Sequence, residues 1–322
     1  MEQKRGIVTV ATGSYYCWLA QNLAMSYRLF TNNEYPICAI TDKKGEKRLK
    51  KYFDKVIVLD KPNYTFLDKI AVYDNSPYEE TIFIDADMDV TQDFSFLFDA
   101  LAENGSPMSC IASYREITDS NMPEHFGRAA IEHFHLTRYL AFNGGFYYYQ
   151  KSQKTDEFIR LIYDDLIPNY ERYQLKVFRE GQKADEPLIG LAMLLCDMKP
   201  FSSNRDIMKL IQEMDTVKWD MKNKKTQLVW YGKQVSPILL HYGTHNTRHK
   251  KYVYYNSIVR CKYYHIMPLL PVYLAYREIR LAILHLSRKQ DRQALGSWIR
   301  AHFSKKHLIH RKNQLMKLIK RG

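Results

Sequence analysis

The run FIDADMDV sets Asp85, Asp87 and Asp89 at every second position of an otherwise apolar stretch. Read as one strand, TIFIDADMDV has Ile82, Ile84, Ala86 and Met88 on one face and Phe83, Asp85, Asp87 and Asp89 on the other. Like charges side by side at the end of a buried strand repel each other unless a cation lies between them. A divalent ion removes that conflict, because Mg²⁺ and Mn²⁺ take oxygen ligands and are commonly held by one or two carboxylates together with substrate phosphates. The same aspartates would also suit a solvated strand end, as turn formers and helix caps.

Three further stretches carry usable chemistry. Asn143-Gly144-Gly145 stands just before the strand-like run FYYY, where glycine would let a bulky ligand approach the backbone, although Asn-Gly is also an ordinary turn signal. Asp185-Glu186-Pro187 has the form of a helix start, with Pro in the first turn and acids that either cap the helix or face a ligand. His241 follows the apolar SPILL and is either a surface imidazole or a nitrogen ligand that would favour Mn²⁺ over Mg²⁺.

These residues need a scaffold, and the flanking sequence supplies one. GIVTVATG (6–13), PICAITD (36–42), KVIVLD (55–60) and TIFIDAD (81–87) are strand-like, while 15–30 and 64–76 carry apolar residues at helical spacing. Strands alternating with helices predict an α/β fold with a mainly parallel central sheet and right-handed crossovers. Near-continuous apolar runs fit strands buried on both faces. In such sheets ligands collect beyond the carboxyl ends of the strands, where the aspartates and the Thr12-Gly13-Ser14 turn fall.

Composition narrows the possibilities. The five cysteines are odd in number, widely spaced and without a Cys-x-x-Cys pair, which implies neither a disulfide framework nor a zinc site and fits a reducing cytoplasm. The amino-terminal residues pass into a strand with no long apolar segment of a secretory signal. Residues 241–322 hold 18 lysines and arginines against Glu278 and Asp291, whereas the preceding 240 residues hold 30 bases and 33 acids. The basicity is therefore a property of the tail, a segment that seeks an anionic surface. Within it, residues 263–290 are apolar and aromatic but interrupted by Arg277, Glu278 and Arg280, short of the ~20 apolar residues of a spanning helix. Downstream, apolar and basic residues alternate in the manner of a helix lying in the headgroup region of an anionic leaflet. A solvated helical hairpin packed on the body is the other reading, and no nucleic-acid-binding motif accompanies the charge.

The ordered set of IVTVATGSYY, FLDKIAVYDNSPYEETIFIDADMDV, LAFNGGFYYYQKS, KADEPLIGLAML and LLHYGTHNTRHKKY resembles the nucleotide-sugar glycosyltransferases of GT-A fold, in particular the glycogenin-like and bacterial lipooligosaccharide galactosyltransferase group. It spans residues 6 to about 251. The resemblance implies a GT-A domain over 1–255 and a basic amphipathic helical tail over 256–322. It implies that Ala11, Thr12 and Tyr16 lie near the base and ribose, that Lys69 contacts the donor, and that Asp85, Ala86 and Asp87 form the Asp-x-Asp motif. It further implies Asn143 and Gly144 beside the transferred sugar, Asp185 and Glu186 for sugar contact, and His241 as third metal ligand with Asp85 and Asp87. In the family pattern a glycine follows that histidine by three residues and a lysine steadies the diphosphate. Here Gly243 follows His241 by two, and the cation is expected from Arg248, Lys250 or Lys251.

The function so implied is a Mn²⁺- or Mg²⁺-dependent transfer of a sugar from a nucleoside diphosphate, expected to be UDP, to an acceptor hydroxyl. The group implies retention of configuration; an inverting enzyme would instead need a carboxylate such as Asp185 or Glu186 as general base. The expected setting is bacterial cell-surface glycan synthesis, with a glycan or lipid-linked acceptor and a cytoplasmic protein resting on the inner face of the plasma membrane through its tail. The competing expectation is a non-catalytic module that keeps the nucleotide-sugar fold for binding, with the tail recruiting membrane or nucleic acid. Asp89 gains no partner from this reading and is expected to be an ordinary strand-end aspartate.

Overall fold

A computed structural model describes residues 4–178, 181–203, 206–211, 214–220, 223, 225–243 and 250–286. The chain begins with β1 (Arg5–Ala11), α1 (Gly13–Phe30), β2 (Ile37–Thr41), α2 (Lys43–Leu49) and β3 (Lys55–Val58). It continues through α3 (Val72–Asn75), β4 (Glu80–Ile84), β5 (Met88–Val90), α4 (Leu97–Glu103), β6 (Met108–Glu116), α5 (Arg128–His133) and β7 (Arg138–Gln150). After α6 (Gln153–Leu161) and α7 (Asp185–Leu195) come the short strands β8 (Met208–Leu210), β9 (Met214–Asp220), β10 (Lys225–Trp230), β11 (Lys233–Val235) and β12 (Leu239–His241). Helices α8 (Lys250–Tyr263) and α9 (Leu270–Leu286) come last.

The central sheet has the order β3-β2-β1-β4-β7-β6. Its first four strands run parallel, and β7 is antiparallel to both β4 and β6. The expected mainly parallel α/β sheet is present, with a mixed edge. Val8, Ile40 and Phe83, one on each of three adjacent strands, are fully buried, and each such side chain gains roughly 1.5–3 kcal/mol on leaving water. The side chains of β1, β2 and β4 thus read as continuous apolar runs because both faces of the sheet are covered.

Two local expectations change. TIFIDADMDV is not one strand: β4 ends at Ile84, residues 85–87 form a turn in which Met88 N–H donates to Asp85 O at 3.2 Å, and β5 belongs to a second sheet of order β5-β12-β8. The segment 64–76 is not one helix either. It holds a 3₁₀ turn, Phe66–Lys69, capped by Thr65, and a single helical turn in α3. Buried Asp68 accepts from Asn63 N–H, Tyr64 N–H and the Thr12 hydroxyl, so this carboxylate ties the segment to the end of β1 instead of lying on a helix face.

The chain forms two compact units, Met1–Thr244 and His245–Gly322; the division expected at 255 falls inside α8. The five cysteines are free. Among the described residues no helix is long and apolar enough to cross a membrane. In the second unit, α8 and α9 are joined by Arg277 Nη1, which donates to Asn256 Oδ1 at 2.9 Å, both side chains being buried. The amphipathic tail expected beyond residue 286 lies outside the described residues.

Candidate active site

Strand pairing brings the distant histidine to the aspartates. In the β5-β12 pair, His241 stands opposite Met88, and Tyr242 N–H donates to Asp87 O at 3.2 Å. One ligand atom from each of Asp85, Asp87 and His241 lies within 4.8 Å of the other two. His241 Nε2 is 3.2 Å from Asp87 Oδ1, yet that oxygen has no aligned hydrogen bond, and His241 Nδ1 is likewise buried without a partner. Adjacent ligands of a divalent ion at ~2.1 Å stand about 3 Å apart, so the Asp87–His241 spacing suits neighbouring positions around one ion. Two carboxylates and one imidazole, with buried lone pairs left unused, fit Mn²⁺ or Mg²⁺.

Electrostatics agree with that arrangement. Burial works to raise the Asp87 pKa, but a protonated His241 and Lys69 outweigh it and the carboxyl ends below its ordinary value. Burial is the largest effect at Asp85 too and leaves it raised, with Lys69 opposing and Asp87 adding. For His241, burial favours the neutral ring, whereas Asp87 and Asp85 together lift its pKa above the usual 6.5.

Lys69, delivered by the 3₁₀ turn, stands at the edge of this cluster. Its Nζ donates to Asp85 Oδ2 at 2.8 Å and to Gly144 O at 3.3 Å, and lies 3.5 Å from Asp185 Oδ2. Burial alone would lower its pKa, but Asp185 and Asp85 raise it well above the ordinary lysine value. Asp185 also accepts from Tyr147 Oη at 2.8 Å; burial raises its pKa, opposed by Lys69. Neither Asp185 nor Glu186 caps α7, whose cap residue is Ala184 with no side-chain bond. Both acids therefore turn toward the site.

Gly144 and Gly145 lie inside β7, not before it, where the β6-β7 register shifts between Cys110 and Ala112. Gly145 O accepts from Asp85 N–H at 2.9 Å, and Asn143 Oδ1 accepts from Gly145 N–H at 3.2 Å. Glycine is required at 144 by protein packing: a Cβ there would stand 2.6 Å from Tyr147 Oη and 2.7 Å from Glu186 Cγ. Glu186 Oε1 accepts from Gly144 N–H at 2.6 Å.

An open cleft beside Lys69 and Asp85 encloses about 470 Å³, its mouth included, and is lined among others by Val10, Thr12, Tyr16, Tyr64 and Gln182. Thr12 and Tyr16, the residues expected near base and ribose, both line this cleft. Ala11 is fully buried and absent from this lining, its carbonyl engaged by Thr41 Oγ1 at 2.6 Å. Ala86 is buried in the Asp-x-Asp turn, and Gly243 takes a positive φ of 64° after His241. Arg248 lies outside the described residues.

Sequence reasoning missed Asp68, Tyr147, Tyr64, Gln182 and His125, whose Nδ1 is 3.7 Å from Glu186 Oε2. Asp68 and Tyr147 lie within quoted stretches but were given no role there, Tyr64, Gln182 and His125 lie outside them, and each gains its place only through tertiary contact. Asp89 is corrected outright: it is fully buried in β5 and accepts from Tyr242 Oη at 2.7 Å, because β5 is paired with β12 on one side and tied to α1 by Val90 N–H donating to Ser26 Oγ, and is not a solvated end.

No protein-family model and no curated protein matches the chain. The solved structures that match include glycosyltransferases. The glycosyltransferase GlyE of Streptococcus pneumoniae TIGR4 matches at 14% identity and a TM-score of 0.42, over 63% of this chain and 45% of that one. Mouse xyloside xylosyltransferase 1 matches at 10% identity and 0.46, over 75% and 98%. The galactosyltransferase LgtC, solved with donor and acceptor sugar analogues, matches at 11% identity and 0.48, over 76% and 90%. The chain spans under half the length of the pneumococcal protein. At these scores the likenesses stand as similarities, and the functional conclusion rests on the side chains of the site.

Proposed function

We propose that the chain is a metal-dependent glycosyltransferase that moves a sugar from a nucleoside diphosphate, UDP in particular, to an acceptor hydroxyl. The observation that carries this is the convergence of Asp85, Asp87 and His241 into one ligand set with the charged Lys69 at its edge, beside an open cleft. A divalent ion held there would supply Lewis-acid neutralisation of the diphosphate oxygens. Lys69 adds a fixed positive charge for the same leaving group, with a second cation proposed from Arg248 or its neighbours. Thr12 and Tyr16 would receive base and ribose. Asn143, Gly144, Asp185 and Glu186 would surround the sugar. In the retaining mode proposed, no strong base on the acceptor is required.

The second unit supports a membrane-surface role in bacterial cell-surface glycan synthesis. Arg277 turns inward to Asn256 while Leu269, Val272, Tyr276 and Ile279 are exposed at helical spacing. One of the three charges that interrupt the apolar run is thereby hidden, while Arg280 stays exposed beside the apolar stripe, a mixture that would suit a helix lying on an anionic leaflet. The acceptor would then be a lipid-linked or surface glycan at the inner face of the plasma membrane.

The decisive assay is hydrolysis of UDP-galactose or UDP-glucose with and without Mn²⁺. Turnover that needs the metal and vanishes in Asp87→Ala is expected. Wild-type protein that binds no UDP in the presence of Mn²⁺ would overturn the reading in favour of a non-catalytic module.

A further inference from the structure

The segment 113–139 carries no motif, yet one of its side chains reaches the site. His125 is pinned by its backbone: His125 O accepts from Lys176 N–H at 2.9 Å, Phe126 bridges to Leu175, and Gly127 N–H donates to Gln174 O at 3.0 Å. Its ring packs against Phe142 with centroids 5.8 Å apart. Nδ1 is buried with no hydrogen-bond partner and stands 3.7 Å from Glu186 Oε2. The other oxygen of that carboxylate is already held by Gly144 N–H.

The order of contacts fixes where His125 lies along the site. Asp85 is bound by Lys69, Lys69 reaches Gly144 O, Gly144 N–H reaches Glu186, and Glu186 faces His125. On the glycosyltransferase reading the metal and diphosphate would take the Asp85 end of this chain of contacts, which would leave His125 at the far end, on the side of the sugar. His125 and Glu186 keep 13% and 14% of their side-chain surface exposed, against 2% for Asp185, so both are more open to an entering ligand than Asp185 is.

We propose that His125 is a positioning residue, holding Glu186 Oε2 so that this carboxylate presents one fixed face to a hydroxyl of the bound sugar. This role rests on the glycosyltransferase reading. The present 3.7 Å is longer than a hydrogen bond, and closing it requires under 1 Å of movement, a tightening common when ligand fills a site. Burial lowers the His125 pKa, with Lys176 acting in the same direction and Glu186, Glu124 and Asp185 opposing, so the ring is neutral at pH 7 and carries one N–H to give. The tautomer with that proton on Nδ1 donates to Glu186 without placing a second full charge next to it.

A pair of substitutions separates this role from packing. His125→Phe keeps a ring against Phe142 and removes the donor; His125→Asn sacrifices the ring but sets an amide nitrogen near the position of Nδ1. The measurement is Mn²⁺-dependent hydrolysis of UDP-galactose or UDP-glucose, with the affinity for UDP and the melting temperature followed in parallel. His125→Phe is expected to lose roughly tenfold or more in kcat with UDP affinity within about twofold of wild type, and His125→Asn to keep more activity than His125→Phe. In a Glu186→Gln background the His125→Phe change should add little, since the two residues act as one unit. The opposite ranking, with His125→Phe active and His125→Asn impaired, or full additivity with Glu186→Gln, would overturn the inference and leave a packing histidine. Wild-type protein without UDP binding or hydrolysis would bring down the glycosyltransferase reading first, and this inference with it.

Discussion

Replacing Lys69 by methionine tests the electrostatic logic of the site. The substitution conserves most of the side-chain volume and removes one buried cation shared by Asp85, Asp185 and Gly144 O. Breaking a buried ion pair from one side costs about 3–5 kcal/mol because the remaining charge is left uncompensated. With 12% of Lys69 and 17% of Asp85 still exposed, the lower end, about 3 kcal/mol, applies. For a unit of this size that corresponds to a fall in melting temperature of about 6–12 °C. The pH dependence has a definite sign. Lys69 is held charged well above 10.5, so its own contribution is complete at any pH below that value. Asp85 and Asp185 already lie above their ordinary pKa and rise further once the cation is gone. An acid whose folded pKa is raised opposes folding above the unfolded value, and the penalty is relieved as pH falls through the folded pKa. The Lys69→Met deficit is therefore largest at pH 7–8 and shrinks toward pH 5. Mn²⁺ should recover part of it at neutral pH, since Asp85, Asp87 and His241 are intact, while affinity for UDP drops. Thermal unfolding of both proteins between pH 5 and 8, with and without Mn²⁺, is the assay. A loss below about 1 kcal/mol with no pH dependence would refute the reasoning.

The same geometry sets four other outcomes. Asp89→Asn, expected from sequence alone to be mild, should cost about 1–3 kcal/mol in thermal unfolding because Asp89 is fully buried and bonded by Tyr242 Oη; Asp87→Asn should instead abolish the stabilisation given by Mn²⁺. Gly144→Ala would force a Cβ to within 2.9 Å of Asp185 Oδ2 and closer still to Glu186 and Tyr147; thermal unfolding should show a loss of about 1–3 kcal/mol, and UDP-sugar hydrolysis should be lost with it. Mn²⁺ must displace a proton from His241, whose pKa is lifted above 6.5 by Asp87 and Asp85 despite its burial, so Mn²⁺ affinity measured by titration calorimetry should strengthen from pH 6 to pH 8 with proton release.

The sequence by itself determined the parallel core of the sheet, because apolar strand runs separated by amphipathic stretches leave few other ways to bury both faces. It also determined the metal candidates: Asp85 and Asp87 are short-range neighbours whose repulsion is visible in the string, and the stretch around His241 could be aligned with a known pattern. Tertiary structure alone decided how they meet. Asp85 and Asp87 converge through a turn between two sheets and not by strand alternation, and His241 arrives through the pairing of β12 with β5. The fate of Asp89 was hidden for the same reason, since whether a strand end is solvated depends on which strand lies beside it. Asp185 and Glu186 read equally well as caps or ligands until Lys69, Tyr147 and Gly144 N–H took up their oxygens. His125 and Asp68 could not be found at all from local pattern, because burial and partners 61 and 56 residues away give them their roles. Local spacing writes elements and short-range charge conflict into the sequence; the direction in which a buried polar side chain is satisfied is set only when distant strands and turns close around it.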